Sequence, residues 1–213
     1  MLGRIRWGSG RKVVLGTEQI LGLSVLSVEL PQNARKWERE MKKAAALLRK
    51  NRVVRVLVPP DVPWWPILGQ EGLRPVETRA LRYMLAPVWV AVQMKRRNIL
   101  PETAVLRLKG EGSEPALERL ARELCPMVRS LVFDIPGGAE AANRLRQEMG
   151  MPVLPGNFDQ VDLTLRLDEG PVLAGAEITL SGRELPPDCD RVSLISALWE
   201  NNRIKSEEIV LKL

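Results

Sequence analysis

The 213-residue chain is 45% hydrophobic and 27% charged, a composition typical of globular proteins, and it is long enough for one large or two small domains. It contains no histidine and only two cysteines, Cys125 and Cys189, neither of them in a CxxC spacing. These counts exclude His-based acid–base catalysis, nucleophile systems that need histidine, His-ligated metal sites and a disulfide framework. The formal charge of +6 fits an anionic ligand or partner but specifies none.

The N-terminal segment MLGRIRWGSGRKVV has charges and glycines where a signal peptide would carry its apolar run. No stretch of the sequence reaches the roughly 18 uncharged apolar residues that a membrane span requires. We therefore expect a cytoplasmic protein that has no membrane partner.

Residues 4–30 are predicted to form short strands separated by glycine turns. The segments RIRW, GSG and RKVVLG together indicate a hairpin, in which Gly8 and Gly10 would supply the positive φ of a tight turn. Residues 23–30 alternate well enough to form a further strand, which Pro31 ends.

Residues 34–50 have the pattern of an amphipathic helix. Its apolar positions recur at spacings of three and four residues: Trp37, Met41, Ala44, Ala45 and Leu48. Another face is basic: Arg35, Arg39, Lys42 and Arg49, with Lys36, Lys43 and Lys50 beside it. This basic stripe could bind a phosphate backbone or an acidic partner. We favour a solvated helix face, because no aromatic or glycine-rich contact element is interleaved with the charges.

The β-branched run at 53–58 predicts a buried strand, which completes a strand–helix–strand unit. The proline-rich segment after it contains Trp64 and Trp65. These indoles could form a stacking platform or a docking knob for a partner, but we favour a rigid loop whose indoles cover the core. Residues 75–97 predict a long helix with a kink or a break at Pro87.

The stretch 103–134 has the outline of a strand, a tight turn, a helix and a second strand. An apolar run at 104–108 is followed by Gly110 and Gly112, and then by a helical pattern at 114–124. The second strand, at 131–134, ends in Asp134. This is the unit that opens dinucleotide-binding folds.

Further elements follow this unit: a helix at 139–149 closed by Gly150, strands at 152–154, 161–167, 176–180 and 209–213, and a helix at 191–202 with Asp190 as its N-cap. The alternation of strands and helices predicts an α/β protein with a doubly wound, largely parallel, Rossmann-like sheet. We predict a smaller N-terminal α/β lobe at 1–74, a connecting helix at 75–100 and a Rossmann-like domain at 101–213.

From residue 101 onward, the order of elements resembles the cofactor domain of Rossmann-superfamily dehydrogenases, such as shikimate and alanine dehydrogenase. In those enzymes a substrate lobe comes first, a long connecting helix follows, and the glycine turn comes next. The resemblance covers about half of the chain and implies NAD or NADP as the cofactor.

The resemblance implies a role for three residues of this chain. Gly110 would lie at the tight turn, Gly112 where the pyrophosphate approaches the backbone, and Asp134 where an acid binds the ribose hydroxyls. The third glycine of the motif is replaced by Pro115, which the first turn of a helix tolerates. The neighbouring acids, Glu111 and Glu114, complement the helix dipole themselves and would repel a phosphate. Lys109 offsets only part of their negative charge.

Catalytic residues are harder to assign. Four carboxylates lie near the strand at 161–167: Asp159, Asp162, Asp168 and Glu169. Paired carboxylates can share acid–base catalysis. Asp168 and Glu169, however, more readily form a solvated turn with Gly170. The first lobe contains no identifiable Lys-Asp pair of the kind that shikimate dehydrogenase uses.

Three hypotheses follow. The favoured one is a cytoplasmic Rossmann-like protein with a degenerate dinucleotide-binding turn and a regulatory or protein-interaction role. We favour it because no catalytic residues can be assigned and the phosphate turn is acidic. The second is an NAD(P)- or nucleotide-dependent oxidoreductase-like enzyme with an atypical phosphate loop. The third, not favoured, is a nucleic-acid-binding module that uses the basic helix at 34–50. The expected partner is a protein or an anionic ligand.

Overall fold

A computed structural model describes residues 1–31, 37–60, 65–110, 115–150, 152–167 and 176–212 of the chain. Within these ranges, no helix has both the length and the apolar character needed to cross a bilayer.

Helices and strands alternate along the chain. The helices are α1 (Trp37–Lys50), α2 (Trp65–Gln70), α3 (Arg79–Arg96), α4 (Pro115–Leu124), α5 (Ala139–Met149) and α6 (Arg191–Glu200). The strands are β1 (Leu2–Gly8), β2 (Val14–Ile20), β3 (Leu23–Pro31), β4 (Arg55–Leu57), β5 (Arg74–Pro75), β6 (Val105–Lys109), β7 (Ser130–Asp134), β8 (Val153–Pro155), β9 (Leu163–Arg166), β10 (Glu177–Leu180) and β11 (Ile209–Lys212).

Most of the predicted elements are confirmed, with small shifts at their ends. Helix α5 covers the predicted residues, and Gly150 closes it in the left-handed conformation at φ 63°. Asp190 caps α6, because its side chain accepts a hydrogen bond from the Ser193 amide at 2.9 Å. Pro87 lies inside α3, which continues through it as one helix, so the break into two helices does not occur. The predicted start of α1 at residue 34 lies outside the described residues.

By its internal contacts the chain divides into two compact units. The first comprises Met1–Thr78 with Ile178–Val210, and the second comprises Arg79–Glu177 with Leu211–Leu213. The division near residue 75 resembles the predicted one, but the segment 178–210 joins the first unit and α3 joins the second. Contacts of the segment within the first unit include a hydrogen bond of 3.1 Å from the Asp190 amide to the Val58 carbonyl. The N-terminal lobe at 1–74 as a domain stays a prediction.

The first unit contains a five-stranded sheet in the order β2-β3-β1-β4-β5. Strand β1 runs parallel to both β3 and β4, whereas β2 is antiparallel to β3. The predicted hairpin around Gly8 and Gly10 is therefore wrong: β2 turns back onto β3, through Leu21 and Gly22. Both of these residues have positive φ, 49° and 80°, as a two-residue type I′ hairpin turn requires.

Helix α1 packs on one face of this sheet. The predicted apolar face of α1 is confirmed, since Met41, Ala44, Ala45 and Leu48 are fully buried. They share a core with sheet residues such as Ile5 and Val28. Gly3 allows the close approach, because a Cβ there would lie 3.2 Å from Leu48 Cδ2 in α1 and 2.7 Å from Val53 Cγ1 just after the helix.

The second unit contains a four-stranded sheet in the order β8-β7-β6-β9, with every neighbouring pair parallel. Strand β6 lies inside the sheet, between β7 and β9. Helix α4 connects β6 to β7, and helix α5 connects β7 to β8, as the alternation predicted. The α/β class with largely parallel sheets is therefore confirmed. Strands β10 and β11 form a separate two-stranded sheet.

Candidate functional site

The carboxyl edge of the second sheet brings two charged residues together. Strands β6 and β7 are in parallel register, with Lys109 opposite Asp134, the last residue of each strand. Lys109 Nζ lies 3.9 Å from Asp134 Oδ2, and the two side chains are 45% and 36% exposed. In open α/β sheets this edge is where ligands bind. The position predicted for Asp134, at the tip of the second strand, is the position it occupies.

Gly110 follows Lys109 directly and is buried. A Cβ at this position would meet Leu117 Cδ2 at 3.6 Å, an ordinary contact, and Gly110 is not among the residues with positive φ. Among the described residues, nothing around this position therefore requires a glycine. Gly112 lies outside the described residues, so the phosphate-binding role of the turn stays a prediction. Pro115 is the first residue of α4, where its fixed φ is tolerated.

A cleft of about 380 Å³ adjoins Asp134. Its walls come from the end of β7, the first turns of α5 and the end of β8, and they include Asp134, Asn143, Arg146 and Leu154. The side chain of Arg146 donates to the Val153 carbonyl and to Asn143 Oδ1, so its guanidinium is already engaged. The polar groups of the cleft are therefore Asp134, the Asn143 amide and backbone atoms.

Glycines make this cleft, and sequence reasoning did not single them out. A Cβ on Gly138 would lie 2.9 Å from Phe133 Cδ1, and one on Gly156 would lie 3.2 Å from Asp134 Cα. Gly137 has φ 71°. These residues let the start of α5 and the chain after β8 approach the tip of β7. The available signals were the PGG turn after β7 and the Pro155-Gly156 pair.

The predicted carboxylate cluster near β9 is only partly described. Asp162 accepts a hydrogen bond from the Val105 amide at 2.8 Å, so one carboxylate oxygen holds β6 to the chain before β9. Arg107, in the middle of β6, donates to the carbonyl of Phe158, which lies in the same segment between β8 and β9. Asp162 thus has a structural function. Asp168 and Glu169 lie outside the described residues.

Both thiols are buried and poorly suited to nucleophilic chemistry. Burial raises the pKa of Cys125 to about 11, although the nearby charge of Arg122 opposes the shift. Burial likewise raises the pKa of Cys189 to about 11, against the effect of Arg4. The thiolate is the nucleophile, so these groups are almost entirely unreactive at neutral pH. Within the described ranges, no group of three or more metal-ligating side chains is assembled.

The first unit contains a buried charge cluster that sequence reasoning missed. Arg4, in the central strand β1, is 3% exposed and donates to Glu18 Oε1 at 2.9 Å and to Asp188. The sequence pattern indicates the opposite, because Arg4 and Arg6 alternate with apolar residues along β1 as on a solvated strand face. A neighbouring and more exposed pair joins Arg6 to Glu29.

The tryptophan pair is described in part. Trp65 begins α2 and packs, partly buried, against the core of the first unit, as the core-covering interpretation predicted. Trp64 lies outside the described residues.

No protein-family model matches this sequence, and no curated protein is significantly similar to it. Among solved structures, L-tryptophan dehydrogenase from Nostoc punctiforme aligns with 78% of this chain at 11% identity and a TM-score of 0.33. The chain spans about half of that enzyme's length, 54%. At this TM-score the likeness carries no argument for a shared activity.

Proposed function

We propose that the second unit is a Rossmann-like module with a degenerate dinucleotide-binding turn, and that the protein has a regulatory or protein-interaction role. The order of its strands supports the first part. Counted from β6 in chain order, the four parallel strands lie in the order 3-2-1-4. This is the order with which a doubly wound dinucleotide-binding sheet begins.

The Lys109–Asp134 pair carries the proposal that this module binds a dinucleotide weakly or not at all. A ribose-binding acid needs free carboxylate oxygens to accept from two hydroxyls. Here Lys109 Nζ lies 3.9 Å from one of those oxygens, from the tip of the neighbouring strand. A ribose at this carboxylate would have to compete with the ammonium group. Glu111 and Glu114 lie outside the described residues, and their negative charge in the sequence would add repulsion toward a diphosphate.

The chemistry assignable to the described residues also favours a role in binding. The chain has no histidine, both thiols have a pKa near 11, and Asp162 is held by a backbone amide. Histidine, a reactive thiolate and a free Asp162 carboxylate are thus three sources of acid–base or nucleophilic catalysis that the described residues do not offer.

One observation favours a second candidate, a nucleotide-dependent oxidoreductase-like enzyme that uses NAD or NADP with an atypical phosphate loop. The cleft of about 380 Å³ beside Asp134 contains a carboxylate, an amide and apolar walls. Such a cleft suits a small ligand with hydroxyl groups.

Thermal unfolding separates the two candidates. A ligand at 100 times its Kd stabilises the native state by about 2.7 kcal/mol. We expect NAD, NADP, ATP and S-adenosylmethionine each to leave the melting temperature unchanged, and affinity capture with the whole chain to retain a protein. A rise with NAD that Asp134→Ala abolishes would instead support the enzyme.

A further inference from the structure

A groove of about 660 Å³ lies on the first unit, between α1 and the residues that connect β1 to β2. Lys43, Leu47 and Lys50 line the α1 side, together with Glu40 and Ala46. They recur at spacings of three and four, which places them in one stripe beside the buried stripe of the helix. The opposite wall consists of Arg11, Lys12 and Val13.

The charges of this groove are unbalanced. It is lined by four cationic side chains, Arg11, Lys12, Lys43 and Lys50, and by a single carboxylate, Glu40. Glu40 accepts from Lys43 at 2.7 and 3.0 Å, so this pair is locally neutral. The other three cations make no ion pair with any described residue. The groove therefore favours an anionic occupant.

Part of the groove lining is aliphatic. Val13, Ala46 and Leu47 are among its lining residues, and none of the lining side chains is aromatic. The register of β2 and β3 also places Leu15 beside Val28, on the face of the sheet that α1 covers. Leu15 is 39% exposed. Apolar surface thus accompanies the positive charge.

The dimensions match a short piece of polypeptide. Lys43 and Lys50 are seven residues apart on a helix, which corresponds to about 10 Å along its axis. An extended chain covers that distance with about three residues. Alternate side chains of an extended segment point to opposite sides, so one set could pack aliphatic groups on Leu47 while the other presents carboxylates to Arg11 and Lys12 on the opposite wall.

We propose that this groove binds a short acidic segment of a partner protein, in which aliphatic residues alternate with glutamate or aspartate. The inference rests on the protein-interaction role proposed above and gives that role a surface and a partner class. Single-stranded nucleic acid would share the attraction to the cations. It usually gains further affinity by stacking on aromatic side chains, which this groove lacks among its lining residues.

Fluorescence anisotropy with defined probes tests the proposal. The probes are a labelled peptide that alternates glutamate and leucine, a matched peptide of glutamate and serine, and a labelled single-stranded oligothymidylate. The whole chain is compared with the double variant Arg11→Glu, Lys50→Glu. The control double variant Lys95→Glu, Arg96→Glu changes the charge equally at the exposed end of α3, in the second unit. Circular dichroism verifies that both variants fold.

We expect the glutamate–leucine peptide to bind more tightly than the other two probes. Reversing two rim charges should weaken its binding about tenfold, since each exposed pair contributes up to about 1 kcal/mol. The control variant should bind within about twofold of the native chain. Equal affinity of the native chain and the groove variant, or absence of peptide binding, would overturn the proposal. Tighter binding of the oligothymidylate that is lost in the groove variant would also overturn it, in favour of a nucleic-acid surface. Nucleotide titration tests the second unit separately, so the two proposals can fail independently.

Discussion

Arg4 in β1 donates a hydrogen bond to Asp188, which lies 184 positions later in the sequence. The pair connects the middle of the first sheet to the segment that leads into α6. The same guanidinium also donates to Glu18 on β2. One buried cation therefore joins two strands near the start of the chain, β1 and β2, to a segment 184 positions after Arg4.

Replacing Arg4 should destabilise the first unit strongly. Removing one partner of a buried ion pair leaves the other charges uncompensated. Glu18 and Asp188 keep 21% and 37% of their side-chain exposure, which softens the penalty. We expect Arg4→Met to lower the free energy of unfolding by about 2 kcal/mol or more, measured by urea denaturation. Arg6→Met is the matched control, because its pair with Glu29 is more than one-third exposed and should cost at most about 1 kcal/mol. If both variants lose the same free energy of unfolding, burial of Arg4 adds nothing to the stability that its ion pairs provide.

Gly138 should not tolerate even a methyl group. Its Cβ would lie 2.9 Å from Phe133 Cδ1 and 3.0 Å from the Ile135 carbonyl oxygen, which is backbone and cannot move aside easily. We expect Gly138→Ala to cost about 1–3 kcal/mol in unfolding free energy. Gly69→Ala in α2, where no atom lies within 4 Å of the added Cβ, should be neutral or slightly stabilising. A neutral Gly138→Ala would mean that the start of α5 can shift away from β7.

The cap of α6 can be tested with a conservative pair of variants. Asp190→Ala removes the acceptor of the Ser193 amide and should cost about 1 kcal/mol. Asp190→Asn keeps an oxygen in place and should restore most of that stability, as measured by denaturant midpoints. If both variants lose the same amount, the negative charge matters more than the hydrogen bond.

The two thiols should make stability fall at high pH. Burial raises the pKa of each from 9.0 to about 11, so the unfolded state releases these protons first as pH rises. Below pH 9 both states hold the protons and the contribution to stability is fully present; between pH 9 and about 11 it is lost. The native protein should also react slowly with a disulfide reagent at neutral pH, whereas the urea-unfolded chain reacts fast. Fast reaction of the native protein, assigned by Cys125→Ser and Cys189→Ser, would contradict the burial of these thiols.

Local signals in the sequence predicted many of the helices and strands. Gly150 marks the end of α5 and Asp190 the start of α6, because each interacts with backbone groups no more than one helical turn away. The alternation of apolar runs and helical patterns was sufficient to place β6 inside a parallel sheet. These features depend on neighbours in sequence, so a single sequence contains them.

Pairing between distant residues could not be predicted in the same way. The hairpin was assigned to Gly8 and Gly10, whereas the turn uses Leu21, a residue that rarely adopts positive φ. The link from Arg4 to Asp188 leaves no periodic pattern, because its partners are separated by nearly the whole chain. In the sequence alone, the glycines of the cleft indicate only turns. Their role in close packing depends on the contacts of Gly138 with Phe133 and of Gly156 with Asp134.

We propose that the sheet edge around Lys109 and Asp134 belongs to a dinucleotide-binding type of fold but does not hold the cofactor. Calorimetric titration of the whole chain with NAD and with NADP is the decisive measurement. We expect no saturable heat at ligand concentrations up to about 1 mM, where a Kd of that size would correspond to a binding free energy of about 4 kcal/mol. Saturable binding to one site, weakened tenfold or more by Asp134→Ala, would contradict it.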